Sequence, residues 1–170
     1  MRPTALLAAF SFTLAAADMP EQAKRGSELF FNATKALPCA TCHQMEGKGV
    51  AAGPDLKNIA VVGPRAIVSA ILATRTAYVQ EVELRSGKKY TVIEQRETPD
   101  AIYYYDLSGK QPVELILKKA DIKRARDNAS WKHPPESYGY SDQELADVIA
   151  YVKFITRGAT GVIAPEDVKR

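Results

Sequence analysis

The apolar positions change their spacing several times along the chain. Between Pro20 and about Ala33, the residues Ala23, Gly26, Phe30 and Ala33 recur at helical intervals, which predicts a first helix. Pro20 suits its opening turn, where a missing N–H removes no bond. From 37 to 63 the chain is broken by Gly47, Gly49, Gly53, Pro54 and Gly63, so regular structure should be scarce. Pro64 then opens a short helix to about Arg75, burying Ile67, Ala70 and Ile71. At Tyr78 the period becomes two. Tyr78, Val82 and Leu84, then Tyr90 and Val92, then the aromatic-rich 102–107, then Val113, Leu115 and Leu117 form apolar runs. They are separated by the turn signals Ser86-Gly87, Thr98-Pro99-Asp100 and Ser108-Gly109. This predicts a four-stranded antiparallel meander over about 78–117. The final helix has the clearest signature: Ser141 and Glu144 as a capping box, the stripe Leu145, Val148, Ile149 and Val152, and Gly158 as its stop. Residues 159–170 read as a polar C-terminal tail.

Composition adds exclusions. A chain of 170 residues, 46% hydrophobic and 25% charged with a net charge of +3, suits one compact domain. Disorder, collagen repeats and a disulfide-dense scaffold are excluded. Residues 1–17 read as a signal peptide: Arg2 near the start, an apolar run over 4–17, and Ala15-Ala16-Ala17 before Asp18. That run is shorter than the roughly 20 residues a membrane helix needs; the competing reading is an uncleaved anchor. No later window is apolar enough to span, so the mature chain is expected without a membrane span. The expected location is periplasmic or otherwise exported, in a bacterium. Export and a small net charge make nucleic acid a poor partner.

The chemistry is concentrated in Cys39-Ala40-Thr41-Cys42-His43, a spacing assigned to covalent attachment of c-type haem. Two thiols three positions apart reach the two vinyl groups on one porphyrin edge, and the adjoining imidazole becomes the proximal iron ligand. Three other readings compete. A Cys39–Cys42 disulfide suits an exported chain. A redox-active pair would need a strand–helix junction in a parallel sheet, which the pattern lacks. Zinc would find only His133 to complete a set with Cys39, Cys42 and His43. The second axial ligand follows by elimination. Met1 leaves with the leader, Met19 falls at a fraying end, and Met45 is two residues from His43, too short a tether to round the macrocycle. His133 remains, in the stiff loop Ser130-Trp131-Lys132-His133-Pro134-Pro135, with a solvated His133 or ligation by Lys132 as alternatives. Bis-histidine ligation is the favoured state.

With these residues in hand, the chain resembles the class I cytochrome c superfamily. It is most similar to the bacterial haem-binding domain of large membrane-bound or PQQ-type dehydrogenase-like proteins. The matching pieces are 39–43, Gly53-Pro54-Asp55-Leu56, the meander, Lys119-Ala120-Asp121-Ile122, and 145–152. The resemblance implies a mainly α cytochrome c-like fold with an inserted antiparallel β meander (α+β), a single domain over 18–158. It implies crossing of the first and last helices, with Gly26 and Phe30 meeting Tyr151. It also implies a Pro54 carbonyl that accepts the Nδ1–H of His43, and Leu56 packed on the haem. Trp131 is expected beside the haem or in the core. The family usually shows Ser-x-Met-Pro, with Met on the iron; Ser130-Trp131-Lys132-His133-Pro134 is one residue longer and carries His. Imidazole in place of thioether lowers the potential.

The expected function is therefore an exported monohaem c-type electron carrier, not an enzyme, passing single electrons through one covalently bound haem c. Its expected partners are redox proteins, acidic ones or a membrane-associated dehydrogenase or oxidase. A haem-based sensor or small-ligand binder, or a peroxidase-like protein with a dissociable distal ligand, is the alternative. Lys118, Lys119, Lys123, Arg124, Arg126 and Lys132 form a basic run, read as a solvated loop or strand end, or as a rim that steers an acidic partner.

Overall fold

The computed structural model describes residues 18–72 and 78–169. The expected signal peptide and the expected last turn of the second helix, 73–75, lie outside the described residues. Three α-helices are present, α1 (Glu21–Asn32), α2 (Pro64–Leu72) and α3 (Asp142–Arg157), with five strands: β1 (Val79–Leu84), β2 (Lys89–Glu97), β3 (Ala101–Asp106), β4 (Val113–Lys118) and β5 (Ile122–Asp127). The class is α+β. Among the described residues the strands occupy nearly as many positions as the α-helices.

The helical core is built on the crossing of α1 and α3. At Gly26 a Cβ would fall 1.9 Å from the Asp147 carbonyl oxygen and 2.9 Å from Tyr151 Cβ, so only glycine permits this approach. Phe30 and Tyr151 meet edge to face, with centroids 5.5 Å apart. Beside the crossing, Arg25 grips the buried carboxylate of Asp147 through Nε and Nη2 at 2.8 and 3.0 Å, while Gln143 Nε2 donates to the same carboxylate. Helix α3 carries its capping box as expected, and Gly158 closes it at φ 65°.

The C-terminal segment is no polar tail. Ile163 and Val168 are buried in the helical core, and the turn Pro165–Val168 is a short 3₁₀ helix. Gln22 holds Ile163 by both ends of its amide: Nε2 donates to the carbonyl at 2.8 Å and Oε1 accepts from the N–H at 2.9 Å. Val162, Ile163 and Val168 recur with neither helical nor strand spacing, too weak a pattern to read as an element. Met19, expected to fray, packs partly buried against the same core.

The inserted sheet has one strand more than predicted. Its order is β4-β3-β2-β1-β5, all antiparallel. The fifth strand is the basic stretch 122–127, which shows no apolar alternation and was read as loop or strand end. Strands β4 and β5 lie at opposite edges, yet only the 3₁₀ turn Lys119–Asp121 joins them. Three residues at about 2 Å each cannot cross a flat sheet whose strands are spaced at about 4.8 Å. The sheet is therefore curled on itself. It has its own core of Val82, Val92, Tyr104 and Leu117, which shares no residue with the helical core.

The two ends of the insertion lie side by side. Gln80 pairs with Asp127 across β1 and β5, and the Asn128 N–H donates to the Val79 carbonyl at 2.8 Å. The chain thus returns from the sheet at the point where it left the helices.

Candidate functional site

The residues 39–41 form a 3₁₀ turn, with the Cys42 N–H donating to the Cys39 carbonyl at 3.2 Å. In a 3₁₀ turn positions i and i+3 eclipse one another, so Cys39 and Cys42 are set on one side. Both thiols are free, and no disulfide joins them. Burial raises the pKa of both, that of Cys39 to about 11, so neither has the acidic thiolate of a redox-active pair. Among the described residues no group of three or more His, Cys, Asp or Glu gathers as a metal cage, and the zinc reading loses its ligand set.

His43 is oriented from behind. Its Nδ1 lies 2.9 Å from the Pro54 carbonyl oxygen. A carbonyl can only accept, so the proton sits on Nδ1 and the lone pair of Nε2 is left for a metal. Gly53 presses against the ring: a Cβ there would fall 2.5 Å from Cε1 and 2.8 Å from Nδ1. The Gly53 N–H donates to the Cys42 carbonyl, which ties this loop to the cysteine turn. Desolvation lowers the His43 pKa, opposed by the Pro54 carbonyl, which favours the protonated ring. Leu56, two residues on, is partly buried against the helical core.

His133 lies ninety positions away in sequence but within electrostatic reach of His43. Burial lowers its pKa first, and the His43 charge lowers it further. The Ile71 carbonyl favours a protonated ring, yet Nδ1 is buried without a hydrogen bond of normal geometry. Trp131 packs beside it with ring centroids 5.2 Å apart, and the Tyr138 hydroxyl donates to its carbonyl at 3.2 Å. Lys132 is exposed, whereas His133 is half-buried. Met45 is buried in the helical core.

Three supporting residues act through contacts that the sequence analysis does not give. Tyr140 is buried, and its hydroxyl lies 3.3 Å from the Leu29 carbonyl, 3.0 Å from that of Leu37 and 3.9 Å from Cys39 Sγ, bracing the cysteine turn against α1. Tyr151 donates to Glu46 Oε2 at 2.7 Å, fixing a non-glycine residue at φ 51° just after the motif. Gly53, a loop glycine by sequence, is the third.

Four of the six residues of the basic run are ion-paired. Lys123 and Arg124 both pair with Glu83, Arg126 with Glu81, and Lys119 with Glu97. Strand pairing places Glu81 and Glu83 opposite the basic residues of β5, which the linear charge count does not show. A groove of about 500 Å³ lies elsewhere, between the start of α1 and residues 159–165, and is lined by none of the predicted haem residues.

Two thiols on one side of a turn, an imidazole with its lone pair free, and a second, half-buried imidazole suit a haem-binding class of site. Residues 23–105 match the cytochrome c family model, just under half of the chain. The match supports the cytochrome c superfamily, whose haem c is covalently attached, and points to a haem-binding protein of the electron-transfer type. It ends at Tyr105, before β4, the His133 loop and α3. No curated protein sequence matches the chain. The residues present fit the cofactor: glycine where a side chain would strike His43, and an orphaned ring nitrogen on the second histidine. Among the described residues no helix is long and apolar enough to cross a membrane.

Proposed function

We propose that this protein is an exported monohaem electron carrier in which His43 and His133 both ligate the iron. Cys39 and Cys42 hold the haem by thioethers; Pro54, Leu56 and Trp131 line it. When bound, haem c supplies a one-electron Fe(III)/Fe(II) couple. The chain supplies the rest. Pro54 keeps a proton on His43 Nδ1 and so keeps Nε2 available as a neutral donor. Gly53 leaves the ring its place. Trp131 covers one side of His133 and limits water there. Two imidazoles favour a potential below that of a methionine-ligated haem.

The observation that carries the second ligand is the setting of His133, a half-buried imidazole beside Trp131 whose Nδ1 is buried with no hydrogen-bond partner. The exposure of Lys132 and the burial of Met45 support it. The partners are redox proteins, with a membrane-bound or PQQ-type dehydrogenase-like assembly as the specific candidate. Export to the periplasm rests on the leader pattern over residues 1–17.

One feature favours a second reading, a sensor or small-ligand binder. Nδ1 of His43 is anchored, whereas Nδ1 of His133 has no bonded partner, so the distal ring is the looser of the two. Optical spectra and carbon monoxide binding separate the readings. A carrier is low-spin when oxidised and resists carbon monoxide when reduced, and His133→Ala makes it high-spin and reactive. Rapid carbon monoxide uptake by the unmodified protein favours the sensor. A sulfur-to-iron charge-transfer band in the near infrared overturns histidine ligation.

A further inference from the structure

The inserted sheet carries no His, Cys or Met, yet it is joined directly to the loop that bears His133. Strand β5 ends at Asp127, the Asn128 N–H extends the ladder to Val79, and the Trp131 N–H donates back to the Asn128 carbonyl at 3.1 Å. Ser130 Oγ bonds Asn128 Oδ1 at 2.9 Å, tightening the same turn. His133 follows two residues later. On the downstream side, the Leu37 N–H holds the Glu136 carbonyl at 3.0 Å. At its other side the sheet touches the proximal loop, where Gln95 Nε2 donates to the Ala52 carbonyl at 3.3 Å, beside Gly53.

Glu83 is the centre of the β1–β5 ladder. Its carboxylate is nearly covered (11% side-chain exposure) and takes Lys123 Nζ at 2.6 Å on one oxygen and Arg124 Nη2 at 2.7 Å on the other. The ladder shifts register at Glu83/Leu84, so this carboxylate spans the irregular point of the pairing. Farther along, Arg126 bonds Glu81 at 2.7 Å. No part of the haem chemistry uses this buried acid.

We propose that the β insertion is a strut, and that Glu83 is a positioning residue which, by locking β1 to β5, holds the His133 loop at the iron. The inference rests on the reading that His133 is a ligand. Its size follows from chain statistics. With the ladder closed, about 15 residues of connecting chain separate the end of α2 from Glu136; with it open, about 64 do. His133 is only three residues from Glu136, so that short arm dominates its local concentration, and full opening lowers the frequency of His133 at the iron by less than about twofold.

The test is stopped-flow carbon monoxide binding and ferric spin state in the holoprotein, in four variants. Glu83→Ala raises the association rate by up to about twofold and increases the high-spin fraction. Arg126→Ala, on the same ladder, moves both in the same direction by a smaller factor, and carries the test if Glu83→Ala does not fold. Glu97→Ala removes the Lys119 pair in the same sheet but away from the β1–β5 ladder, and leaves both readouts unchanged. His133→Ala reports on ligation itself. If it opens the site while Glu83→Ala and Arg126→Ala stay at the wild-type rate, the strut is wrong and the ligand is right. If it changes nothing, the ligand reading fails and the strut falls with it. An effect of Glu97→Ala equal to that of Glu83→Ala also overturns the proposal, since any loosening of the sheet would then suffice.

Discussion

Replacing Gly53 with alanine tests the proximal geometry most directly. The added Cβ would lie 2.5 Å from His43 Cε1, about 0.9 Å inside the 3.4 Å at which ordinary contact begins. The ring cannot recoil along its own axis, because Nδ1 is bonded to the Pro54 carbonyl at 2.9 Å and the chain on either side is tied by backbone bonds. A recoil of that size stretches the bond beyond hydrogen-bonding range, at a cost of about 0.5–1.5 kcal/mol. Overpacking adds about 1–3 kcal/mol. The sum, about 2–4 kcal/mol, corresponds to a fall in Tm of about 5–15 °C for a domain of this size. The haem stays attached through its thioethers, so the protein remains coloured while His43 is displaced. The assay is a thermal melt with ferric and ferrous spectra, and Gly63→Ala, which meets nothing within 4 Å, is the control. A Gly53→Ala protein with wild-type Tm and an unaltered spectrum would refute the claim that this glycine is required by the proximal ring.

Gly26→Ala drives a methyl into the Asp147 carbonyl at 1.9 Å, and urea unfolding should show a loss of about 3 kcal/mol or more, or no folded protein. Ile163→Ala should cost about 2–5 kcal/mol by the same assay, because the C-terminal segment is core; a change below 0.5 kcal/mol would return it to the status of a tail. Tyr140→Phe leaves the Leu29 and Leu37 carbonyls without their hydroxyl donor and should cost about 1–3 kcal/mol. Lys123, with Arg124 beside it, holds the Glu83 carboxyl below the ordinary carboxylate value, so its stabilisation is complete above that value and vanishes as pH falls through the lowered one. Acid titration followed by far-UV circular dichroism should therefore show Glu83→Gln losing less stability between pH 5 and 3 than wild type does, roughly in proportion to that shift.

What could be read from the sequence was whatever a local pattern states fully. The capping box and stripe of α3, the helix around Phe30, the twofold alternation of β1 to β4 and the Cys39–His43 spacing are each complete within a short window. Strand β5 was not legible, because its residues Lys123, Arg124 and Arg126 are satisfied by acids on β1 forty positions earlier. Long-range pairing made a strand of a segment with no apolar face. The C-terminal segment is illegible for a related reason: Gln22, the partner of Ile163, is 141 positions away. At the site, Pro54 was legible only by resemblance, while Gly53 and Tyr140 act through contacts that spacing does not encode.

Two separate cores, one of α1, α2 and α3 around Phe30 and Tyr151, the other of curled strands around Tyr104, carry a thermal consequence. Cooperative melting requires that loss of one contact set undermine the next, and here the sets meet mainly through backbone at the root of the insertion. Scanning calorimetry should then resolve two heat-absorption peaks. Between them the pigment would survive on a helical remnant, still red, but with its iron newly open to outside molecules.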